Sequence, residues 1–494
     1  MAKFVPILLA LAMLALSLWL FPWDSDASFA VNDPLGYAHG AETTPWSSIV
    51  AHHPLIHVLA AWLVGPLQAL HVEHPGHVAV RILSGLGAAC LVLLLAAMAG
   101  WARAAAASAL ILPLICTRGF LLESATGESV VTSAALCVAT LWVASRSSPR
   151  PWRLAFLLFT ALLWRQDNIL ILPSVALLLL RPELGPGRVR RAGILLLGVG
   201  MATLLAYGAL WRVSAPQSHL LDWMLTVTQH EGRSWALASH PRLSDVPLNL
   251  QALGAAVVGV HRLDSGVPAL IAAGGFLLLI LLSTFLLRGG RPGSRSLLLA
   301  LGLAILVRFP FFLWFEPQNF EWWLPSLAYL VAMGCTFLRG PRAAPKFAFL
   351  IPLIGALLIL GIHGESTLSL RERHLATCRD QLTQSAGASP PMVYLTYGAT
   401  AHMAFHLDQR EHDTDFLRGH PEEIVARLIA LRQEHPTAPL ALFFDRFVKD
   451  GQPVTRLSKE DALTPFLEGI DESDPAMRVF RHRDRVFALG FNLP

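Results

Sequence analysis

Two aspartates stand directly after the first apolar run of the chain, in the sequence Trp-Asp-Ser-Asp that ends at Asp26. If that run crosses a bilayer, Asp24 and Asp26 are held at the height of lipid head groups, where a carboxylate can act as a general base or ligate a metal. Solvated acids that only mark the membrane boundary would give the same pattern. Position alone supports both interpretations equally.

Two further acids, Glu123 and Glu128, lie in a short polar segment between apolar runs. Carboxylates from separate segments that converge on one cavity form a base or a seat for a cation. Each glutamate taken singly is more often a simple loop charge. His53 opens a His-Pro-Leu sequence near other histidines, and it is a candidate metal ligand, although a polar lining or an interfacial anchor is the commoner role.

Arg165 and Arg308 each stand at the end of an apolar run. A guanidinium there is costly unless it meets an acid or a lipid phosphate, so both are candidates for phosphate binding. Snorkelling to the interface is the alternative. Glu321 precedes two tryptophans at the same predicted level, where an aromatic belt or stacking against a sugar would each explain the rings.

The composition indicates what kind of molecule positions these groups. Of the 494 residues 54% are hydrophobic and 15% are charged, whereas about a quarter of a soluble chain is charged. Most of the chain is therefore expected in lipid. The net charge of +4 comes with arginines in short clusters between apolar runs, which indicates topology signals rather than nucleic-acid binding. The five cysteines show no spacing typical of a zinc site or a disulfide framework.

Apolar runs of about 20 residues, or shorter where a helix is broken or tilted, predict about eleven crossings. They are 4–22, 78–100, 104–118, 129–145, 152–165, 168–180, 192–211, 267–287, 296–315, 324–338 and 347–363. The fold class predicted from them is an α-helical polytopic membrane protein. The first run lacks a small-residue cleavage site and is interpreted as an uncleaved span.

Lys and Arg fall in alternate connections, which the positive-inside rule assigns to the cytoplasm. The basic positions are Lys3, Arg103, Arg146, Arg150, Arg153, Arg181, Arg188, Arg190, Arg191, Arg288, Arg291, Arg295, Arg339, Arg342 and Lys346. With an odd number of spans, the C-terminal part is extracytoplasmic. Two long outer connections, 23–77 and 212–266, result, and the semi-apolar stretch 54–70 is expected to lie along the interface as an amphipathic helix.

The pattern changes after the last span. Residues 392–397 and 440–444 alternate as strands do, 422–434 has the period of an amphipathic helix, and 478–487 is typical of a closing strand. The predicted domains are therefore a transmembrane domain over 1–363 and a small extracytoplasmic α/β domain over 364–494.

This organisation resembles the C-type (GT-C) superfamily of membrane glycosyltransferases, which includes protein O-mannosyltransferases and the aminoarabinose transferase of lipid A. The shared features are an acid after the first span, a His-Pro-Leu turn near the end of the first outer loop, an acidic second outer loop over 118–129, and a basic residue in a broken helix. The likeness covers about residues 1–363, and the C-terminal part is similar in placement only.

The resemblance implies a transferase of the inner (plasma) membrane that moves a sugar, with inversion, from a polyprenyl-phosphate-linked donor to a lipid, glycan or protein acceptor. By the same resemblance Asp24 or Asp26 is the base, with Asp26 preferred, and Arg165 is the basic residue of the broken helix. His53 matches the turn, and Glu123 or Glu128 the acid of the second loop. A divalent metal is compatible with these acids but is not required by the sequence.

Two other classes of protein fit parts of the sequence. An O-antigen ligase or polymerase depends on a large periplasmic loop in the second half of the chain, whereas the acid-bearing loop here follows the first span. A transporter or flippase of lipid-linked sugars is expected to have internal repeats and polar residues at mid-membrane. The sequence shows no two-fold repeat, and its polar residues gather at the outer ends of the spans.

Overall fold

The fold is that of a computed structural model, which divides the chain into two compact units, one of residues 1–20 and 40–368 and one of residues 21–39 and 369–494. The structure describes residues 2–23, 25, 27, 33–224, 245–259, 266–288, 294–315, 319–339, 345–371, 393–396, 430, 433, 440–449, 452–454, 477–482 and 485–491.

The first unit is helical along its described length. Its helices, in chain order from α1, are α1 (Val5–Trp19), α2 (Asp33–Thr43, which begins in the other unit), α3 (Pro54–Ala69), α4 (Pro75–Ala99), α5 (Ala104–Ile115), α6 (Arg118–Thr126), α7 (Val130–Ala144), α8 (Pro151–Trp164), α9 (Leu172–Leu179), α10 (Arg188–Ser214), α11 (Leu220–Met224), α12 (Val246–Val258), α13 (Gly266–Leu287), α14 (Arg295–Phe315), α15 (Trp323–Phe337) and α16 (Leu350–Leu368). Short 3₁₀ helices at Gln166–Ile171 and Phe320–Trp322 precede α9 and α15.

Each apolar run predicted to cross the bilayer overlaps a helix of this unit. Among the described residues, five helices are long and apolar enough to span a membrane, namely α4, α10, α13, α14 and the helix over 347–371. A sixth span results if α5 and α6, which meet at a bend of 82°, count as one. The chain is therefore a membrane protein with several apolar helices, and the full number of crossings stays a prediction.

Several segments predicted as connections contain helices, among them α6 and α12. Helix α6 occupies most of the predicted second outer loop, because the Thr117 side chain accepts a hydrogen bond from Phe120 N at its start and Gly127 ends it in the left-handed conformation. Helix α12 lies within the predicted connection 212–266. Its apolar side chains are buried, which a hydropathy reading of a short segment does not reveal.

Small residues let the central helices approach one another. A Cβ on Gly85 of α4 would lie 2.8 Å from the Cβ of Ser17 in α1. Gly87, on the other side of α4, lies against Thr132 of α7, where a Cβ would overlap the side chain. Close helix contact of this kind is how apolar helices gain packing energy where lipid offers no hydrophobic driving force.

The second unit contains a five-stranded sheet with strands β1 (Val393–Thr396), β2 (Leu440–Lys449), β3 (Gln452–Val454), β4 (Met477–His482) and β5 (Arg485–Phe491). The order is β1-β2-β5-β4, with β1 parallel to β2, β3 antiparallel to β2, and β5 antiparallel to both β2 and β4.

The strands β1 and β2 lie where strands are predicted. The single closing strand predicted over 478–487 is wrong, because the chain reverses between His482 and Arg485 and pairs as a hairpin. The predicted helix over 422–434 lies almost wholly outside the described residues.

Four connections that the positive-inside rule assigns to the cytoplasm meet at one end of the helical unit. They contribute Arg146, Arg181, Arg295 and Arg339 to the lining of one cavity. The positive residues that follow α7 and α9, begin α14 and follow α15 therefore share one side. This arrangement is what the alternation of basic clusters requires.

We predict that the C-terminal part is extracytoplasmic. A single cysteine introduced at position 433 is expected to react with a membrane-impermeant maleimide in intact spheroplasts, whereas one introduced at position 147, beside the basic cavity, is expected to react only after permeabilisation. The reverse pattern would contradict the topology, and equal labelling at both positions would show that the membrane was leaky.

Candidate functional site

The site is built around a break between two apolar helices. Helix α8 ends at Trp164, Arg165 adopts an extended conformation with φ −149° and ψ 134°, and a 3₁₀ helix, Gln166–Ile171, leads into α9. The break is fixed on both sides, because Trp164 Nε1 donates to Ser129 O at 2.8 Å and Gln166 N donates to His52 O at 3.1 Å. The extended residue at the break directs its guanidinium into the protein.

Arg165 is 3% exposed and meets groups from several elements. Its Nε donates to Asp167 Oδ1 at 2.9 Å, and its Nη1 donates to Ser129 Oγ at 3.0 Å. The same Nη1 lies 3.6 Å from Glu128 Oε1 and 3.9 Å from Glu321 Oε2. A buried guanidinium therefore connects three carboxylates, which offsets part of the cost of removing its charge from water.

Asp167 joins this group to a second buried arginine. Its Oδ2 accepts a hydrogen bond from Arg308 Nη1 at 3.0 Å, so one carboxylate bridges both guanidiniums. The Arg308 side chain is 0% exposed, and its Nη2 donates to Asn168 Oδ1 at 3.2 Å. Asn168 is held in turn by Ser133, whose Oγ donates to the same oxygen at 2.7 Å.

Glu123 and Glu128 are positioned by the end of α6. Gly127 has φ +103°, and a Cβ there would lie 2.8 Å from Val80 Cγ2, so both the conformation and the space favour glycine. The Ser84 hydroxyl lies 2.8 Å from Glu128 O and 3.2 Å from Glu123 O. Helix α4, which carries Ser84, therefore fixes the turn that presents both acids.

Glu321 reaches the same place from another part of the chain. It lies in the 3₁₀ helix before α15, where Asn319 Oδ1 accepts from Glu321 N at 3.0 Å and Asn319 Nδ2 donates to Glu321 Oε1 at 3.0 Å. The Arg165 guanidinium carbon stands 4.9 Å from the centroid of the next ring, Trp322. That indole packs against Phe315 at 5.3 Å and Phe312 at 6.2 Å between centroids, so aromatic contacts hold the segment.

Three carboxylates from two connections converge at this point. One oxygen from each of Glu123, Glu128 and Glu321 lies within 4.8 Å of the others. Oxygen ligands of this kind fit a hard divalent cation such as Mg²⁺, Mn²⁺ or Ca²⁺. Together with Asp167, four carboxylates and the guanidiniums of Arg165 and Arg308 come together here.

His53 directly precedes the first residue of α3 and lies close enough to Arg165 to sense its charge. It is 4% exposed, and its ring stands 4.2 Å from that of His52 between centroids. Burial lowers the pKa of His53 well below its ordinary value, and the positive charges of His52 and Arg165 lower it further. The imidazole is therefore neutral at pH 7.

Of the residues predicted for the site, the structure brings together Arg165, Glu128, Glu321 and Glu123. Arg308 is linked to this group through its ion pair with Asp167. Asp24 and Asp26 lie outside the described residues, so their role as the base stays a prediction.

Sequence reasoning missed three residues that organise the site, namely Asp167, Ser129 and Asn319. Only Asp167 carries a signal in the sequence, since a carboxylate two residues after an arginine at a helix break is a natural partner for it.

No protein-family model and no curated protein sequence matches this chain. Solved structures do match this chain. ArnT from Cupriavidus metallidurans bound to undecaprenyl phosphate matches with a TM-score of 0.56 and 13% sequence identity, and the same protein in the apo state with 0.55 and 14%. Each match covers 98% of this chain and 97% of the other. This chain has the GT-C fold of ArnT. The GT-C likeness predicted from the sequence is therefore confirmed for the fold, over both units rather than the transmembrane part alone.

Proposed function

We propose that this protein is a glycosyltransferase that moves a sugar, with inversion, from a polyprenyl-phosphate-linked donor to an acceptor on the extracytoplasmic face. The observation that carries the proposal is the convergence of Glu123, Glu128 and Glu321 on the buried Arg165 at a helix break. The ArnT structure of the same fold has undecaprenyl phosphate bound, which supports a donor of this lipid class.

The chemistry follows from the charges that the reaction develops. A base removes the proton of the acceptor hydroxyl or amine while that atom bonds to the anomeric carbon, and the bond from this carbon to the phosphate oxygen breaks. The lipid phosphate leaves with its electron pair, so positive groups beside it lower the barrier. We assign that role to Arg165, with Arg308 supporting it through Asp167. A divalent cation held by the three glutamates would supply further positive charge.

We further propose that the helical unit lies in the inner membrane with the site at its outer end and that residues 364–494 form an extracytoplasmic α/β domain. The opposite ends of α7 support this orientation. Glu128 and Ser129 precede its first residue, and Arg146 of the basic cavity follows its last. The site and the basic cavity therefore lie at opposite ends of this 15-residue helix.

The proposal is tested with full-length protein reconstituted into liposomes with undecaprenyl-phosphate-linked sugars and an envelope extract as acceptor. Mass spectrometry should detect free undecaprenyl phosphate and a glycosylated product in equal amounts. Movement of the intact donor across the liposome, with no donor consumed, would indicate a flippase instead. Transfer of an oligosaccharide from a diphosphate donor alone would indicate a ligase.

Replacing Arg165 with alanine is expected to weaken binding of the donor phosphate. Loss of a hydrogen bond to a charged group costs about 1.5 to 3 kcal/mol, which corresponds to roughly a 10- to 150-fold rise in the Kd for undecaprenyl phosphate. The Kd is measured with purified protein in detergent. Arg165→Lys should recover only part of the affinity, since it keeps the charge and loses the planar donor pair.

A matched control separates binding from folding. Arg118 is also a buried arginine, 6% exposed, and its Nη1 donates to the backbone oxygen of Gly259 at 3.0 Å. Arg118→Ala should therefore leave the Kd unchanged even if it lowers the unfolding temperature. Equal Kd values for Arg165→Ala and the wild type would remove Arg165 from the binding site.

A further inference from the structure

The basic cavity at the other end of the helical unit has a volume of about 520 Å³. This lies within the range of small-ligand sites, roughly 300 to 1,000 Å³. Its lining includes the exposed residues Arg146, Ser147 and Arg295, so it opens to the surroundings. It is formed by the ends of several apolar helices and lies wholly within one unit of the chain.

The lining is strongly positive. Among the described residues, the lining holds four guanidiniums, from Arg146, Arg181, Arg295 and Arg339, and one carboxylate, from Glu183. Each arginine comes from a different connection of the chain, and neutral donors fill much of the remaining wall. A topology signal requires positive charge in each connection, but it does not require one arginine from each of four connections to line the same cavity.

Backbone contacts hold two of these arginines in place. Arg181 donates from Nη1 to Ser145 O at 2.5 Å and from Nη2 to Arg146 O. Arg339 donates from Nε to Met98 O at 2.7 Å. Guanidiniums fixed through some of their donors keep the other N–H groups oriented, which lowers the entropy lost when an anion binds.

Arg146 is held by a ring rather than by a carbonyl. Its guanidinium carbon stands 4.2 Å from the centroid of Trp142. Burial lowers the pKa of Arg146, and the charge of Arg339 lowers it further. Because the like charges raise one another's energy, an anion between them would relieve an unfavourable interaction already present in the fold.

The end of α14 adds to the positive potential. Ser294 caps this 21-residue helix by accepting a hydrogen bond from Leu297 N at 3.2 Å, and both residues line the cavity. The N-terminus of a helix carries a partial positive charge that favours phosphate. The N-terminus of α14 and the four arginines therefore both favour an anionic ligand such as a phosphate.

We propose that this cavity binds the phosphate-bearing headgroup of an anionic phospholipid from the cytoplasmic leaflet. The phosphate could also be presented by a soluble compound, and two observations favour the lipid. The cavity lies between the ends of apolar helices, where basic pockets bind phospholipid headgroups. Trp101, just before α5, and Trp152, in the first turn of α8, are 43% and 66% exposed, as is typical of rings at the membrane interface. The inference is independent of the proposed glycosyltransferase reaction.

The test measures binding of a fluorescent phosphatidylglycerol to the purified full-length protein in detergent by anisotropy. Arg146→Gln combined with Arg295→Gln should weaken binding roughly 30-fold, which corresponds to about 1 kcal/mol per arginine. The matched control combines Arg153→Gln with Arg288→Gln. It removes one positive charge from each of the same two basic clusters of the sequence but none from the cavity lining, so topology is affected equally.

The control pair should change the affinity by no more than about twofold, since these charges act only at a distance through salt solution. Unlabelled phosphatidylglycerol should compete, whereas phosphatidylcholine, glycerol 3-phosphate and inorganic phosphate at equal concentration should not. Thermal unfolding of each lipid-free variant shows that it is folded. Equal weakening by both pairs, or competition by phosphatidylcholine, would overturn the site, and equal competition by inorganic phosphate would overturn the lipid as its ligand.

Discussion

Asp167→Asn is expected to destabilise the helical unit by about 3 to 5 kcal/mol, the usual result of removing one partner from a buried ion pair. Asp167 bonds Arg165 at 2.9 Å and Arg308 at 3.0 Å, and its own side chain is 7% exposed. Asparagine has the same shape, but it has no charge to balance Arg308, whose side chain is 0% exposed. The variant should show a lower midpoint of thermal unfolding in detergent and a lower yield from membranes.

Two further variants test whether the loss of stability comes from the bridge that Asp167 forms between the two arginines. Asp222→Asn is the same substitution at an exposed position of the helical unit, and it should leave the midpoint nearly unchanged. Asp167→Asn combined with Arg308→Met should be more stable than Asp167→Asn alone, because the second change removes the charge that the first leaves uncompensated. If Asp167→Asn unfolds at the same temperature as Asp222→Asn, the bridge between the two arginines does not support the fold.

The largest expected effect on the reaction is that of Asp26→Asn, which should lower turnover by roughly a hundred- to ten-thousandfold through loss of general-base assistance. The assignment depends on the sequence, because both aspartates of the first outer loop lie outside the described residues. The sequence predicts that the loop after the first span holds a carboxylate at head-group height, at the position that the family resemblance implies for the base. Asp26 is preferred, since Asp24 directly follows Trp23 at the end of the span and can act as a boundary marker alone.

The comparison of Asp24→Asn with Asp26→Asn decides the assignment. The two changes are chemically identical and lie two residues apart, so each serves as the control for the other. Transfer is assayed on folded protein with saturating donor, and the Kd for undecaprenyl phosphate should be the same in both variants. Normal turnover in both would place the base elsewhere, and Glu123, Glu128 and Glu321 would be the next residues to replace.

The sequence by itself determined the class of the protein and the position of most elements. Hydropathy is a local property, so apolar runs predicted the membrane helices, and alternation predicted β1 and β2. The break at Arg165 was also predictable, because consecutive polar residues interrupt an apolar run there. Errors arose where local signals are weak, as in α6, where a capping threonine and a glycine outweigh a polar composition.

Only the tertiary structure decided which polar groups meet. Glu123 and Glu128 each looked like an ordinary loop charge, and Glu321 looked like part of an aromatic stretch at the membrane surface. Their convergence on Arg165 depends on how α4, α7 and α15 pack. The four arginines of the basic cavity looked like topology signals, because their meeting in one cavity also depends on the packing of the helices. Contacts between distant residues follow from close helix packing, here at glycines such as Gly87, and the sequence pattern of a single helix does not specify its neighbour.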